Sequence, residues 1–212
     1  MSERLSLGHI EAERHWSALP PEPHLATLHD GPVRLVFVGR ICPTKNLHMV
    51  LDALHRLDAP AGLDIYGPLE EGLYWSRCKA LIGRLPAWVR ARYCGELTPA
   101  QTRLTFARYD AFVFPTLGEE VGHIIAESLS ASCPVICSTK TPWTDLLISG
   151  GGIVLPELNP GRLADEIARV AAASHAERAG ARQRAGAAYR SWRGGVHRRA
   201  GAGRLGAHPS NT

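Results

Sequence analysis

The sequence of 212 residues contains no apolar run that approaches the ~20 residues needed to cross a bilayer. Its N-terminal stretch also lacks the basic-then-apolar order of a signal peptide, which argues against export. Cysteine is sparse, with five residues and no CxxC pair, and Cys133 and Cys137 bracket a strand-like segment too extended for both thiols to bind one metal. These absences predict a cytoplasmic protein without a structural metal or disulfides.

Acidic residues are nearly missing from the segment 176–212, which holds eight arginines and one glutamate. Its net charge of +7 exceeds the +4 of the whole chain, so residues 1–175 carry a net charge of −3. Glycine, alanine and arginine dominate this segment, and only Tyr189 and Trp192 could stack on bases. We therefore expect a frayed helix followed by disorder, without specific nucleic-acid binding.

The rest of the chain divides into a leader and a domain. Residues 1–31 are rich in proline and weakly periodic, which predicts a poorly ordered leader or linker. Residues 32–175 alternate short apolar segments with helical patterns. The strand-like segments are VRLVFVG, LDIYG, ARYCG, DAFVFP, CPVICS and GGIVLP. This alternation predicts one α/β domain, a Rossmann-like, doubly wound parallel sheet with helices on both faces.

Three predicted helices begin with a capping signal. Asn46 precedes the helical pattern that follows the first strand, and Thr98 stands directly before Pro99 at the start of another. Asn159 precedes a proline in the same way. Side chains of this type accept hydrogen bonds from the first free amides of a helix, so we expect all three residues to be N-caps.

Charged residues follow two of the predicted strands. Arg40 and Lys45 come just after the first strand, and Glu119 comes after the fourth, before a helix that Gly122 opens. Glu127 follows Glu119 by eight positions and stands about a turn into that helix. Parallel strands end at one edge of the sheet, where ligands bind. We therefore expect these side chains to face one ligand that carries a diphosphate and hydroxyl groups.

Each of these residues also has a simpler explanation. Acids before a helix stabilise its dipole by ~0.3–1 kcal/mol, and a glutamate on a polar helix face is usually solvated. Cations in loops are common. The combination of two cations and two spaced acids at one edge favours a ligand.

Several segments together resemble the C-terminal, donor-binding half of a GT-B glycosyltransferase, of the retaining group known as glycosyltransferase family 4. These segments are FVGRICPTKN, YCGEL, YDAFVFPTLGEEVGHIIAESLSASCPVI and GGGIVLP. They cover roughly residues 31–173, in the family's order and spacing. The resemblance implies transfer of a hexose from a UDP- or GDP-type nucleotide-sugar, with its anomeric configuration retained. It implies no metal cofactor, and a DxD metal motif is absent near these residues.

The resemblance also implies roles for individual residues. Arg40 and Lys45 match the pair that neutralises the donor diphosphate, and Glu119 matches the acid that contacts the transferred sugar. Glu127 matches the acid that holds the nucleotide ribose. The other matching donor-binding positions are Gly39, Gly95, Glu96, Leu97, Val121, Gly122 and His123.

Some features depart from the family pattern. Val121 stands where the family favours an aromatic residue, and Ser132 stands where it favours glycine, so we expect strain in the turn at Ser132. The family also has an acceptor-binding domain ahead of the donor domain, and residues 1–31 are too few to form one. We expect either a separate acceptor-binding chain or a truncated product of a longer gene.

Three functional hypotheses stay open. The first is the donor-binding domain of a glycosyltransferase, whose activity without an acceptor domain is doubtful. The second is a catalytically inactive nucleotide-binding or regulatory module. The third is a nucleic-acid-associated protein that uses its arginine-rich tail.

Overall fold

One six-stranded sheet forms the centre of the computed structural model, which describes residue 16 and residues 18–24 and 29–204, with side chains through residue 195. The strands are β1 (Val33–Val38), β2 (Ala61–Tyr66), β3 (Val89–Tyr93), β4 (Ala111–Phe114), β5 (Val135–Ser138) and β6 (Gly152–Leu155). Neighbouring strands are parallel, in the order β3-β2-β1-β4-β5-β6. The six predicted strands and the Rossmann-like, doubly wound sheet are confirmed.

Helices connect these strands and cover the sheet. They are α1 (Leu47–Leu54), α2 (Gly72–Ile82), α3 (Pro99–Phe106), α4 (His123–Ser130), α5 (Thr144–Leu146), α6 (Pro160–Ala172) and α7 (His175–Arg204). A 3₁₀ turn (Pro43–Lys45) precedes α1, and a π turn (Leu147–Gly151) follows α5. In the part of the chain that the structure describes, no helix is both long and apolar enough to span a membrane.

The central strands β1, β4 and β5 are buried, and the edge strand β3 is polar. Every residue of β4 and β5 is buried, and β1 exposes only Arg34. At the sheet edge, β3 exposes Arg90 and Arg92. Strands that are covered on both faces consist of continuous apolar residues, which is why the central strands were recognisable in the sequence.

Two of the three predicted N-caps are confirmed. Thr98 forms a capping box with Gln101 at the start of α3, with Pro99 at the first helical position. At the start of α6, the side-chain oxygen of Asn159 accepts hydrogen bonds from Gly161 N and Arg162 N, at 2.7 and 3.3 Å.

The capping role predicted for Asn46 is wrong. Asn46 does precede α1, but its backbone is left-handed, with φ 62°, and its side chain makes no capping hydrogen bond. Its Nδ2 donates instead to Pro115 O at 3.0 Å. Asn46 therefore ties the loop after β1 to the loop after β4.

The tail also differs from its prediction, because α7 is one continuous helix as far as Arg204. Tyr189 is fully buried, and the guanidinium of Arg182 donates to the carbonyls of Ala107 and Tyr109. Alanine and arginine are good helix formers, and long arginine side chains cover apolar surface while their ends reach polar partners. The sequence interpretation counted only conventional core residues and so missed this packing. Residues 205–212 lie outside the described part.

Part of the expected leader packs against the domain. His24 N donates to Ser130 O at 2.8 Å, and the Tyr189 hydroxyl donates to Pro20 O at 2.5 Å. Arg193 Nη2 donates to Leu19 O at 2.9 Å. Residues 18–24 therefore lie between α4 and α7. The rest of the leader, residues 1–15, 17 and 25–28, is outside the described residues.

The turn after α4 has the strained backbone that the sequence predicts. Ser132 adopts φ 55° and is buried, with 3% of its surface exposed. A Cβ on Gly186 of α7 would lie 2.8 Å from Ser132 Oγ, so the two residues are closely packed.

We expect Ser132→Gly to raise the free energy of unfolding by about 1 kcal/mol, because glycine adopts a left-handed backbone without steric cost. We also expect Gly186→Ala to lower it by about 1–3 kcal/mol, and Ser132→Gly to recover most of that loss. Denaturant titration measures all three variants. Gly195→Ala is the control on the same helix, since a Cβ there meets nothing within 4 Å. Additive effects of the two changes would contradict this packing.

Candidate functional site

The loops that follow β1 and β4 meet at the carboxyl edge of the sheet, where doubly wound sheets have their ligand-binding crevice, and this region is called the crevice below. β1 and β4 are neighbours in the sheet, but the chain leaves β1 for β2 on one side and leaves β4 for β5 on the other. Ligands of doubly wound sheets bind at such a switch point. The first loop carries Arg40 and Lys45, and the second carries Glu119 and leads into α4.

Lys45 is buried at the base of this crevice, with 8% of its surface exposed. Its Nζ donates to Glu119 Oε2 at 2.7 Å and to Gly118 O at 3.3 Å, and it lies 5.4 Å from the centre of the Phe114 ring. The predicted convergence of the β1 loop and the β4 loop is therefore present in the structure.

The Glu119 carboxylate lies at the N-terminus of α4. Its Oε1 accepts hydrogen bonds from Gly122 N at 3.1 Å and, weakly, from Val121 N at 3.4 Å. Burial acts to raise the pKa of Glu119, but the hydrogen bond and charge of Lys45 and the two amides outweigh it, so the pKa lies below its usual value. The carboxylate occupies the position where a helix N-terminus and a cation would hold an anion.

Arg40 is on the surface of the same crevice. Its Nη1 donates to both carboxylate oxygens of Glu70, at 3.0 and 3.1 Å. The Glu70 hydrogen bond and charge raise the pKa of Arg40, and the charge of Glu119 contributes to this increase. Arg40 is therefore near Glu119, although its direct partner is Glu70. The sequence interpretation did not select Glu70.

Trp143 supports the start of α4 and was missed in the sequence. Gly122 has φ 71°, and the indole Nε1 of Trp143 donates to Val121 O at 2.8 Å. A Cβ on Gly122 would lie 2.5 Å from that nitrogen. The ring of Trp143 is buried and packs on Trp192 of α7, with ring centres 4.9 Å apart. The one sequence feature that could have identified Trp143 is its position as a large aromatic residue within the otherwise polar segment TPWTD.

His123 is the first residue of α4, and Glu127 is about one turn further along the helix. Burial raises the pKa of the Glu127 carboxyl to about 7. This burial contradicts the simpler expectation of a fully solvated glutamate. The His123 ring makes an edge contact with Trp16, with ring centres 5.9 Å apart. Glu127 lies ~6 Å along the helix axis from His123, so it can face a different part of a ligand from Glu119.

The loop that carries the predicted donor-binding residues Gly95, Glu96 and Leu97 follows β3, two strands from the strand that precedes Lys45. Gly95 has φ 87°, and its carbonyl accepts a hydrogen bond from Gly67 N at 2.9 Å. A Cβ on Gly67 would lie 1.9 Å from Gly39 O. The turns at Gly39, Gly67 and Gly95 are therefore packed closely against one another. Glu96 and Leu97 line an adjacent hollow of about 390 Å³. The structure therefore places the predicted glycines along one edge, with Gly95 furthest from the Lys45–Glu119 pair.

Within the described residues, no group of three or more histidine, cysteine, aspartate or glutamate side chains could hold a metal ion. The five cysteines are free thiols. The positive charge of the crevice comes instead from Arg40 and Lys45.

Comparisons with known proteins agree with this architecture. Residues 26–188 match the sequence profile of the family described as "Glycosyl transferases group 1". The chain is 26% identical over 127 residues to the O-antigen chain mannosyltransferase B of Escherichia coli, an alignment that covers 57% of this chain and 32% of that protein.

Solved structures show the same fold. The chain superposes on HepE of Anabaena, solved in complex with UDP and glucose, with a TM-score of 0.69 and 19% identity over 84% of this chain and 49% of that one. It superposes on the sucrose-phosphate synthase of Thermosynechococcus elongatus with a TM-score of 0.61 and 19% identity over 91% of this chain and 49% of that one.

The chain spans about a third of the length of the curated relative and about half of these two structures. The structural similarity shows the fold, and the sequence profile, which covers most of the chain, shows the family. The chain belongs to the group 1 glycosyl transferases.

Proposed function

We propose that the chain is the donor-binding, C-terminal half of a retaining GT-B glycosyltransferase of the family 4 type. It binds a UDP- or GDP-type nucleotide-sugar and supports transfer of the hexose to an acceptor held by another domain or chain. The observation that carries this proposal is the contact of Glu119 with both Lys45 and the first amides of α4. The solved complex of HepE with UDP and glucose supports the choice of ligand.

The Glu119 carboxylate marks an anion position that a donor phosphate can take. Lys45 Nζ and the Gly122 amide hold this carboxylate at 2.7 and 3.1 Å, which are ordinary distances for a bound phosphate oxygen. A diphosphate in this position releases Glu119, and its carboxylate is then able to accept hydrogen bonds from sugar hydroxyls.

Arg40 provides the second positive charge. Its guanidinium is more than half exposed and held by one surface carboxylate, a contact that contributes little free energy. It is therefore able to leave Glu70 and bind the outer phosphate with two of its N–H groups.

The chemical role of these cations lies in the transition state. As the bond between sugar and diphosphate breaks, negative charge accumulates on the leaving diphosphate and the sugar becomes oxocarbenium-like. Lys45, Arg40 and the dipole of α4 are fixed before this charge appears, so they stabilise the transition state more than the bound substrate. Because the residues themselves supply positive charge, we propose that donor binding requires no metal.

A nucleotide-binding module without turnover is the alternative that the crevice also supports, because the same contacts bind a nucleotide whether or not an acceptor is present. The nucleic-acid hypothesis has lost part of its basis. Arg178, Arg182 and Arg193 donate hydrogen bonds to backbone carbonyls of the domain, so these cations of the tail have structural roles.

We expect one of UDP, GDP, ADP and CDP to stabilise the chain in a thermal-shift screen, by about 2.7 kcal/mol at a concentration one hundred times its Kd. Calorimetry of that nucleotide should give the same Kd with and without EDTA. Arg40→Ala should weaken binding roughly tenfold or more, because it removes a charge-assisted contact.

Arg77→Ala, an exposed arginine of α2, is the matched control and should bind normally. Failure of the whole nucleotide panel, or equal affinity in the Arg40 and Arg77 variants, would refute the proposal. Nucleotide binding without sugar transfer after addition of an acceptor domain would instead support the module alternative.

A further inference from the structure

A second concentration of positive charge lies far from the crevice, on one face of β1, β2 and β3. A hollow of about 360 Å³ opens there. It is lined by Arg34, Gly62, Asp64, Arg90, Arg92, Arg108 and Tyr109. Arg34 is the second residue of β1, about five residues or ~17 Å before the donor-binding loop. Arg34 therefore lies towards the opposite end of β1 from Lys45, and the hollow extends along the face of the sheet to Arg108, which also lines the hollow of Glu96 and Leu97.

The strand register builds the hollow. Arg34, Gly62 and Arg90 are paired residues in one row across β1, β2 and β3. The two arginines are two strand spacings apart, or ~10 Å, and the residue between them has no side chain. A Cβ on Gly62 would meet only Val33 O, at 3.9 Å, so the fold does not require glycine there. Because Gly62 has no side chain, the space between the side chains of Arg34 and Arg90 is open.

The charges in this hollow are not balanced. Arg92 is paired with Asp64 through Nε at 2.6 Å and Nη2 at 2.9 Å, and the Tyr109 hydroxyl donates to the same carboxylate at 2.7 Å. Among the described residues, no carboxylate lies within 4 Å of the guanidinium groups of the other three arginines. The four arginines and Asp64 therefore give the hollow a net charge of +3 (4 − 1), and the one carboxylate is already bound by Arg92.

Protection of the sheet edge explains only part of this arrangement. Charged residues on an exposed edge strand prevent association with other strands, and Arg90 and Arg92 are on the edge strand β3. Arg34 is on the inner strand β1, however, and Arg108 follows α3. Edge protection requires neither of them.

We propose that this hollow is a binding site for a small anion with two linked phosphate groups, such as pyrophosphate or a hexose bisphosphate. Two arginines whose Cα atoms are ~10 Å apart can each bind one phosphate in a forked contact, and Arg108 also lines the hollow. The concave shape favours a small polyanion over a nucleic-acid duplex, which binds along an extended basic surface. Lys45 and Glu119 do not line this hollow, so the site does not depend on the phosphate position proposed between them.

Calorimetry with pyrophosphate tests this site in the full chain that carries Arg40→Ala and Lys45→Met, which remove both cations of the crevice. We expect pyrophosphate to bind, and Arg34→Gln or Arg90→Gln to weaken binding by about tenfold to a hundredfold. Gly62→Val should have a similar effect, because it fills the floor while its Cβ has room in the fold. Arg77→Gln, on α2, is the control for the loss of one charge.

Equal affinity in the Arg34, Arg90 and Arg77 variants would overturn the proposal. So would binding of a duplex oligonucleotide that depends on Arg34 while pyrophosphate does not bind. A hexose bisphosphate that binds more tightly than pyrophosphate, with the same arginine dependence, supports the site and identifies the source of the phosphates. If Lys45→Met leaves nucleotide binding intact while Arg34→Gln abolishes pyrophosphate binding, the hollow is supported and the nucleotide proposal is refuted.

Discussion

Lys45→Met should reduce the affinity of the chain for its preferred nucleoside diphosphate by roughly 10- to 100-fold, because it removes a buried, charge-assisted hydrogen bond to phosphate. Methionine keeps the apolar length of the side chain and lacks the ammonium. The same change leaves the Glu119 carboxylate buried without its cation. We therefore expect the free energy of unfolding to fall by about 2 kcal/mol at neutral pH. Calorimetry and denaturant titration measure the two effects separately.

The double variant Lys45→Met/Glu119→Gln distinguishes binding from stability. A neutral amide at position 119 removes the unpaired charge, so stability should recover while nucleotide affinity stays low. Recovery of both quantities would show that Lys45 acts only through the fold.

The pH dependence of stability gives an independent measurement of this pair. The pKa of Glu119 is lowered in the folded chain, so the pair stabilises the fold above the ordinary pKa of about 4.5, and this contribution is lost as pH falls. In Lys45→Met, the hydrogen bond and charge of Lys45 no longer lower the pKa of Glu119, so this pKa is higher than in the unmodified chain. The loss of stability as pH falls through the range below 4.5 should therefore be smaller in this variant.

Gly122→Ala should abolish nucleotide binding and lower the free energy of unfolding by about 2–5 kcal/mol. A left-handed backbone costs an L-residue about 1–2 kcal/mol, and a methyl group in a packed site costs about 1–3 kcal/mol more. The new Cβ would lie 2.5 Å from Trp143 Nε1 and 2.7 Å from Trp143 Cδ1. Denaturant titration measures the first effect, and nucleotide titration the second.

Gly118→Ala is the matched control, because a Cβ at that position of the same loop meets nothing within 4 Å. Trp143→Phe removes the indole nitrogen and should recover part of the stability of Gly122→Ala. If the alanine variants at 118 and 122 bind nucleotide equally well, the α4 amides do not hold a phosphate.

The strands of the sheet could be predicted because each one shows a pattern within its own few residues. Buried parallel strands consist of continuous apolar residues, so β4 and β5 could be recognised from four to six neighbouring positions. Arg40 and Lys45 could be placed for the same reason, since the end of a strand fixes the edge at which its loop lies.

Contacts between distant segments could not be predicted in this way. Arg40 meets Glu70 thirty positions later, and Val121 meets Trp143 twenty-two positions later. Neither separation along the sequence corresponds to the period of a helix or a strand. The packing of α7 was missed because its helix buries alanines and arginine stems, which give a weak apolar pattern.

The ion pair between Lys45 and Glu119 affects how quickly an anion can enter. Electrostatic steering speeds association when a site presents an uncompensated charge to the solvent. Here the ammonium is already neutralised and only its outer neighbour, Arg40, extends towards the solvent. If a donor phosphate takes the place of the Glu119 carboxylate, as proposed, the carboxylate has to leave first, and we expect the opening of this pair, rather than diffusion, to limit the association rate constant.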